Sequence, residues 1–392
     1  MKNVLFLRTV PLLAASALIA GAACSRTAPA TEESEKLCDR LPMATYLFMG
    51  YNYLDSGFIS RVDFDNYDCF YLINNATDIW NSVDDFSATA DSILAIGGSA
   101  YPLAKPDVYK YTIEEAHKAG TEAVLTIGNE PRFAVTTPEN LAKYAKMLTQ
   151  AVEYYNFDGI DVDWELDIDI PRHADLMEAL RSSLDSLGAA KGRKYTLSTA
   201  LSIEARYYPE EERERMGRAV DRVNLMAYDV GGGIWNTRAI HNEPLTLLSD
   251  SIDRNWRTVP REKLHLGLAS YGFRYHNLRP AEHVAEGKTL ADYGYYVTYN
   301  DVVPFIYNNP RWRAEYDSID KMYYFIDDAE PGFITHDTPE TLQHKFQLAV
   351  DKGLGGTFWW EYVKDIVPDP NGGHKWVHTL VPVHKQKQSY KQ

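Results

Sequence analysis

Positive charge is scarce in this chain. Lys and Arg number 40 against 55 Asp and Glu, which gives the 392 residues a net charge of −15 at neutral pH. This balance argues against nucleic acid or an anionic lipid surface as a partner, because both attract basic proteins. The chain also lacks short internal repeats and low-complexity segments. With 45% hydrophobic residues, it is long enough to form one large domain with a buried core.

The N-terminal hydrophobic run is too short to be a permanent membrane span. It extends from Val10 to Ala23 and follows two basic residues, Lys2 and Arg8. A transmembrane helix needs about 20 apolar residues, whereas an export signal needs fewer. The pattern is typical of an export signal over residues 1–23.

The end of this run resembles a bacterial lipoprotein signal, in which a cysteine becomes the lipidated first residue. Cys24 occupies that position, and a polar tether over residues 24–38 follows it. Gly21 stands where such signals usually have Leu, and an ordinary signal cleaved after Ala22 or Ala23 is the alternative. We therefore expect an exported protein, anchored by lipid to a bacterial cell envelope (outer membrane or surface) or otherwise secreted, whose only contact with a membrane is the lipid anchor.

Cysteine is scarce as well, with three residues in the chain. If Cys24 carries the lipid, Cys38 and Cys69 remain as a possible disulfide pair. The alternative is that both are buried free thiols, and the sequence does not decide between the two.

Eight short apolar segments alternate with segments of helical periodicity. This alternation predicts an α/β fold, a single (β/α)8 TIM barrel over residues 39–383, with a polar tail over 384–392. Helix starts are predicted from Thr137-Pro138 and Thr338-Pro339, and from a capping box of Thr112 with Glu115. The strands are predicted at Ala44 to Gly50, Cys69 to Asn74, Glu122 to Gly128, Gly159 to Glu165, Tyr195 to Ser202, Val223 to Tyr228, Leu264 to Tyr271 and Gly356 to Trp360.

Three carboxylates, Asp161, Asp163 and Glu165, are spaced two residues apart in the fourth of these segments. The Ile, Val and Trp between and beside them favour a strand, which places all three acids on one face, with neighbours about 6 to 7 Å apart. Acids this close in a partly dry site retain at least one proton near neutral pH, as acid-catalysed glycoside cleavage requires. A solvated acidic loop or a calcium loop is the alternative, but calcium loops carry Gly, Asn or Asp between their ligands.

The same segment resembles the active-site strand of glycoside hydrolase family 18, the chitinase and endo-β-N-acetylglucosaminidase family. The family pattern is Asp-Gly-x-Asp-x-Asp-x-Glu, and residues 158–165 match every fixed position. Residues 226–229 match the family's Met-x-Tyr-Asp, and residues 355–360 resemble its Gly-Gly-x-x-x-Trp. The similarity extends from about Met43 to Asp365.

The resemblance implies a role for each residue. Glu165 protonates the departing glycosidic oxygen, and the 2-acetamido oxygen of the substrate serves as the nucleophile. Asp163 holds the acetamido N–H and stabilises the cationic intermediate, while Asp161 shares a proton with Asp163. Tyr228 donates its hydroxyl to the acetamido oxygen, and Trp360 forms the apolar floor under the sugar.

Four more residues are candidates for contact with substrate, each with an alternative. Met226 is either pocket floor or barrel filler, and Asp229 either touches substrate or caps a turn. Trp235, in a glycine-rich loop, suits an exposed stacking platform better than a core position. Tyr271, at the end of the seventh predicted strand, faces substrate or belongs to the barrel wall.

These features predict retaining, substrate-assisted hydrolysis of β-1,4 bonds after N-acetylglucosamine, most simply in chitin or chito-oligosaccharides. The segment from His276 to Asp320 predicts at most a short insertion after strand seven, and hence a shallow groove. That groove favours the alternative, an endo-β-N-acetylglucosaminidase acting on the chitobiose core of N-glycans. A non-catalytic glycan-binding protein is a third hypothesis, which the presence of the acid argues against. We expect no metal and no organic cofactor, because no His or Cys ligand cluster accompanies the acids.

Overall fold

The structure is a computed structural model that describes residues 41–74, 106–128, 137–165, 168–205, 208–301 and 309–380. The predicted export signal, tether and polar tail, with Cys24 and Cys38, lie outside these residues. Cys69 is a buried thiol with no disulfide partner in these ranges, and because Cys38 lies outside them, the pairing of the two stays untested.

Eight parallel strands close into a barrel in which each strand lies beside its neighbour in sequence and the last pairs with the first. This arrangement confirms the predicted (β/α)8 architecture. The strands are β1 (Met43–Phe48), β2 (Cys69–Asn74), β3 (Glu122–Ile127), β4 (Gly159–Val162), β5 (Thr196–Ser202), β6 (Arg222–Met226), β7 (Leu264–Ala269) and β13 (Gly356–Trp360).

Helices in the connections cover the outside of the barrel, where the outward side chains of the strands pack in the main hydrophobic core. Burial on both faces explains why the strands are continuous apolar runs. The helices are α1 (Ser56–Ile59), α2 (Pro106–Ala119), α3 (Pro138–Tyr155), α4 (Ile170–Lys191), α5 (Glu210–Ala219), α6 (Leu245–Asn255) and α7 (Pro339–Asp351). None of the helices in the described ranges is both long and apolar enough to cross a membrane.

Two of the three predicted helix starts are confirmed. Thr137 and Thr338 cap α3 and α7 with their side-chain oxygens, and proline follows each of them. The capping box at Thr112 is wrong, because α2 already begins at Pro106 and the Thr112 hydroxyl donates to the carbonyl of Val108 within the helix.

The connection after β7 is larger than the predicted short insertion. It forms a five-stranded antiparallel sheet. The strands are β8 (Tyr271–His276), β9 (Gly294–Thr298), β10 (Trp312–Asp317), β11 (Met322–Asp327) and β12 (Gly332–Thr335). Their order in the sheet is β10-β11-β12-β8-β9. The outer strands, β10 and β9, are largely exposed, and such strands carry mixed polar and apolar residues that give a weak sequence signal.

The C-terminal part of the described chain adds a 3-10 turn, Tyr362–Lys364, and a small hairpin. The hairpin strands are β14 (Ile366–Pro368) and β15 (Trp376–His378), which pair with each other. The turn directly follows β13 and therefore lies at the barrel mouth.

Candidate active site

A cavity of about 410 Å³ opens at the C-terminal ends of the barrel strands, where barrels of this kind hold their active sites. All the side chains predicted to contact substrate, together with Asp163, Glu165 and Tyr228, line it. The lining residues are Tyr46, Asp163, Glu165, Ala200, Met226, Tyr228, Asp229, Trp235, Tyr271, Tyr296, Val297, Thr298, Trp360 and Lys364.

The row of acids begins inside the barrel and ends in the cavity. β4 stops at Val162, so Asp163 and Glu165 lie just beyond the strand that was predicted to contain them. Both line the cavity, whereas Asp161 is fully buried and does not. The intervening Trp164 is buried in the main hydrophobic core. The alternation of faces therefore continues past the end of the strand.

Gly159 has a steric role at the start of this row. A Cβ atom added there would lie 2.0 Å from the carbonyl oxygen of Thr196 on β5. Only glycine allows β4 and β5 to pair this closely at that point, which sets the register of the acids that follow.

Asp161 sits beneath the cavity in a set of hydrogen-bond donors. Its carboxylate accepts from the hydroxyls of Ser198 at 2.6 Å, Tyr46 at 2.9 Å and Thr126 at 3.2 Å. The Asn224 amide lies 3.4 Å from it and also donates to the Tyr46 oxygen. Burial raises the pKa of Asp161 to about 6, although these donors favour the ionised form. The protonation state of Asp161 therefore changes near neutral pH.

Glu165 and Tyr228 have electrostatic surroundings suited to proton donation. Glu165 keeps contact with solvent, yet the surrounding protein removes enough hydration to raise its pKa above the usual value. Burial, with the nearby charges of Asp163 and Glu165, raises the pKa of Tyr228 well above its usual value. Tyr228 therefore remains a hydroxyl donor at neutral pH.

Trp360 lies across the barrel mouth from the acids. Because β13 is four strands away from β4 in either direction around the barrel, Trp360 and Glu165 face each other over the cavity. The Trp360 ring is half-buried and packs near Tyr46, with ring centroids 5.6 Å apart. Its neighbour Trp359 is fully buried on the outside of the strand, against Phe346 of α7.

Asp229 is surrounded by aromatic hydroxyls at the edge of the cavity. The Tyr296 hydroxyl lies 3.5 Å from its carboxylate, and the Tyr271 hydroxyl also favours the ionised form of Asp229. Burial and the charge of Glu165 raise the pKa of Asp229 to about 7, against the effect of the two hydroxyls. Trp235, 58% exposed, lines the cavity as well.

Several lining residues were absent from the sequence prediction. Tyr46 was detectable in principle, because it lies on β1 with a side chain that points into the barrel. Tyr296, Val297 and Thr298 come from β9 of the inserted sheet, and no periodicity in the barrel strands indicates them. Their presence means that the inserted sheet builds one wall of the cavity, so the argument for a shallow groove does not hold. Lys364 comes from the turn after β13.

No group of three or more His, Cys, Asp or Glu side chains in the described ranges is arranged to hold a metal ion. The acids and hydroxyls that line the cavity can supply proton transfer, hydrogen bonding and electrostatic stabilisation. An aromatic floor opposite an acid with a raised pKa suits a sugar bound between them.

Comparison with known proteins agrees with this geometry. The model of "Glycosyl hydrolases family 18" matches residues 31–365. Endochitinase 1 of Metarhizium anisopliae is 28% identical over 326 residues, which are 76% of this chain and 74% of that protein. The class V chitinase from Nicotiana tobaccum has a similar fold, with a TM-score of 0.65 at 19% identity over 85% of this chain and 97% of that one. A mutant of that chitinase, solved in complex with NAG4, gives a TM-score of 0.65 at 19% identity over 82% and 94%.

Proposed function

Because the chain belongs to glycosyl hydrolases family 18, we propose that this chitinase-like glycosidase hydrolyses the β-1,4 bonds of chitin or chito-oligosaccharides. One observation carries the proposal: Glu165, Asp163 and Tyr228 line the same cavity as Trp360. The names of its relatives, an endochitinase and a class V chitinase, support the choice of chitin over the N-glycan core.

Glu165 is the proton donor in the proposed mechanism. Its pKa is raised by desolvation, which favours the protonated form, and protonation of the glycosidic oxygen turns that oxygen into a neutral leaving group. As the C1–O bond breaks, the proton passes from Glu165 to the departing sugar. The carboxylate left behind then takes a proton from the incoming water in the second step.

The nucleophile in this proposal belongs to the substrate, as in other substrate-assisted glycosidases. The 2-acetamido oxygen attacks C1 and forms a cyclic oxazolinium-like intermediate. Asp163 accepts the acetamido N–H and stabilises the positive charge, while Tyr228 donates to the acetamido oxygen and orients it. Water then attacks C1 from the face that the leaving group occupied, and the bond between C1 and the acetamido oxygen breaks, which restores the acetamido group. The two inversions give net retention. Asp161, with its pKa of about 6, exchanges a proton with Asp163.

The remaining cavity residues bind the sugars in this proposal. Trp360 stacks on the C–H face of the reacting sugar, and Met226 extends the apolar surface beside it. Asp229 and Tyr271 hydrogen-bond to sugar hydroxyls, and Trp235 stacks on a neighbouring unit. No cofactor takes part, and the glycan is the only partner required.

We also propose that the protein is exported and held at a cell envelope by a lipid on Cys24. The support is the apolar run that ends at Cys24 and the polar tether after it. The lipid would be the only contact with a membrane, which keeps the barrel mouth free for a polymeric substrate.

The test offers tetra-N-acetylchitotetraose and a high-mannose glycopeptide side by side, with cellotetraose as the control that lacks acetamido groups. We expect shorter chito-oligosaccharides by mass spectrometry and a β-anomeric product by early NMR. Cleavage only of the glycopeptide would favour the N-glycan alternative. Binding without cleavage of either glycan would favour the non-catalytic hypothesis.

A further inference from the structure

The connection between β6 and α6, residues 227–244, carries Tyr228 and Asp229 at its start and three consecutive buried residues near its end. These three residues, His241, Asn242 and Glu243, have their side chains in contact with three different parts of the molecule. None of them lines the cavity, and the mechanism above uses none of them. Their contacts show what they hold in place.

Asn242 contacts the backbone of the active site. Its side-chain oxygen accepts the N–H of Asp229 at 2.7 Å, and its carbonyl accepts the N–H of Gly231 at 3.2 Å. Asp229 has φ of 60°, a left-handed backbone geometry that few non-glycine residues adopt. The Asn242 nitrogen is buried and makes no hydrogen bond within the described ranges. Among the described residues, the Asn242 side chain therefore forms hydrogen bonds only through its oxygen atom.

The residues on either side anchor Asn242. His241 stacks on Tyr324 of the inserted sheet, with ring centroids 3.7 Å apart, and its Nδ1 atom lies 3.2 Å from the Thr335 hydroxyl. Glu243 accepts the N–H of Ala269, the last residue of β7, at 3.1 Å. The loop is thus fixed to the inserted sheet on one side and to the barrel on the other.

Behind Glu243 lies a cluster of buried charges, which we call the Lys345 cluster: Lys345, Glu243 and Asp337. The Lys345 ammonium lies 2.5 Å from Glu243 and also contacts Asp337, whose carboxylate accepts from the Thr341 hydroxyl at 2.7 Å. All three charged side chains are at most 2% exposed. Burying charges is costly unless they are paired, so breaking one pair strongly destabilises the arrangement. The cluster ties Glu243 firmly to α7.

We propose that Asn242 is a positioning residue for the hydrolysis proposed above: its oxygen fixes Asp229 and the adjoining Tyr228, while Glu243 and the Lys345 cluster hold Asn242 in place. The proposal rests on the proposed function, because Tyr228 must meet the acetamido oxygen at hydrogen-bond distance. A misplacement of about 1 Å is enough to slow such a step by up to 10²-fold.

The test compares Asn242→Ala, which removes the acceptor, with Asn242→Asp, which keeps an oxygen at the same position. Thr338→Ala is the matched control, because it removes the cap of α7 beside the cluster and leaves Asn242 and Glu243 in place. Melting temperature, kcat and KM are measured for each on whichever glycan the wild-type enzyme cleaves. Glu243→Ala and Glu243→Gln repeat the comparison at the anchor.

We expect Asn242→Ala to lose about tenfold or more in kcat, with a much smaller change in KM, and Asn242→Asp to recover most of that loss. Glu243→Gln should likewise retain more kcat than Glu243→Ala. Thr338→Ala should lower the melting temperature while kcat stays within about twofold of wild type. Equal kcat for Asn242→Ala and Thr338→Ala, or no recovery in Asn242→Asp, would overturn the positioning role alone. A wild-type enzyme inactive on every glycan would overturn both proposals.

Discussion

Asp161 shows how much a single buried side chain controls. It accepts hydrogen bonds from three hydroxyls below the cavity and has a pKa of about 6. The fold thus keeps an acid that binds its proton more tightly than free aspartate does. The protonation of Asp161 is therefore coupled to the neighbouring Asp163, with which it is proposed to exchange a proton. It is also coupled to the stability of the fold.

The raised pKa of Asp161 predicts a pH-dependent stability. Its contribution is fully present below pH 3.8, the usual pKa, and is lost as pH rises through about 6. The melting temperature of wild type should therefore fall relative to Asp161→Asn between pH 4 and 7, equivalent to about 3 kcal/mol. Asp221→Asn is the control, because the lowered pKa of Asp221 gives a contribution to stability that does not decrease as pH rises from 4 to 7. A difference in melting temperature between wild type and Asp161→Asn that stays the same from pH 4 to pH 7 would contradict the prediction.

Replacement of the proposed proton donor should stop turnover and leave the fold intact. Glu165→Gln cannot protonate the glycosidic oxygen, so we expect kcat to fall by about 10² to 10⁴ or more. Melting temperature and oligosaccharide affinity should stay near wild type. Glu262→Gln is the matched control, because Glu262 is an exposed residue in the 3-10 turn Arg261–Lys263 before β7. Near wild-type hydrolysis of an unactivated oligosaccharide by Glu165→Gln would remove the assignment.

Asp163 and Tyr228 are assigned to the substrate's acetamido group and should affect catalysis through their contacts with that group. Asp163→Asn and Tyr228→Phe each remove one contact to it, and both should slow formation of the cyclic intermediate. Single-turnover rates on chito-oligosaccharides measure this step. Because the wild-type enzyme needs the acetamido nucleophile, cellotetraose should not be cleaved. Equal cleavage of glucose and N-acetylglucosamine oligomers would show that substrate assistance is wrong.

At the scale of one element, the two adjacent tryptophans of β13 have different roles. Trp360 lines the cavity, and Trp359 is buried between the strand and α7. Strand alternation alone predicts this division, since neighbouring residues point to opposite faces. A shift of one residue in register would exchange the two roles.

Alanine substitutions at these positions should therefore have different effects. Trp359→Ala should lower stability by about 3 to 5 kcal/mol, as large-to-small core changes do, with kcat little changed. Trp360→Ala should retain most of its stability and lose more in kcat than in binding, because the stacking supports the transition state. Melting temperature and kcat for both variants provide the test. A loss of kcat in Trp359→Ala together with a loss of stability in Trp360→Ala would mean that the register of β13 is wrong by one residue.

The barrel strands could be predicted from the sequence because both of their faces are buried. β2 and β13 have the bounds expected from their apolar runs, and the others differ by a few residues at their ends. Alternation placed Asp163 and Glu165 on one face, and the family resemblance added Tyr228; all three line the cavity. The cavity wall that β9 forms, which includes Tyr296, could not be predicted, since its position depends on how the inserted sheet folds back over the barrel mouth. The donors around Asp161 come from four different strands and follow only from barrel closure.

At the scale of the whole molecule, the proposed anchor concerns residues outside the barrel. Cys24→Ser should release the mature protein from the membrane fraction into a soluble one, because the proposed anchor attaches the protein to the membrane through this residue alone. Fractionation with mass spectrometry of the N-terminal peptide measures this, with Cys69→Ser as the control. An unmodified N-terminus at Cys24 or earlier in the wild type would contradict the lipid assignment.

The pairing of the first barrel strand with the last has a consequence for synthesis. Met43 of β1 pairs with Thr357 of β13, so the wall stays open until the ribosome has made nearly the entire chain. Contacts between residues so distant in sequence form slowly, and unpaired strand edges promote aggregation. Until β13 has been made, the edges of β1 and β7 that it pairs with have no partner strand. Because Trp360 arrives on that same strand, a chain that stops before Gly356 has neither a closed wall nor the aromatic floor opposite Glu165.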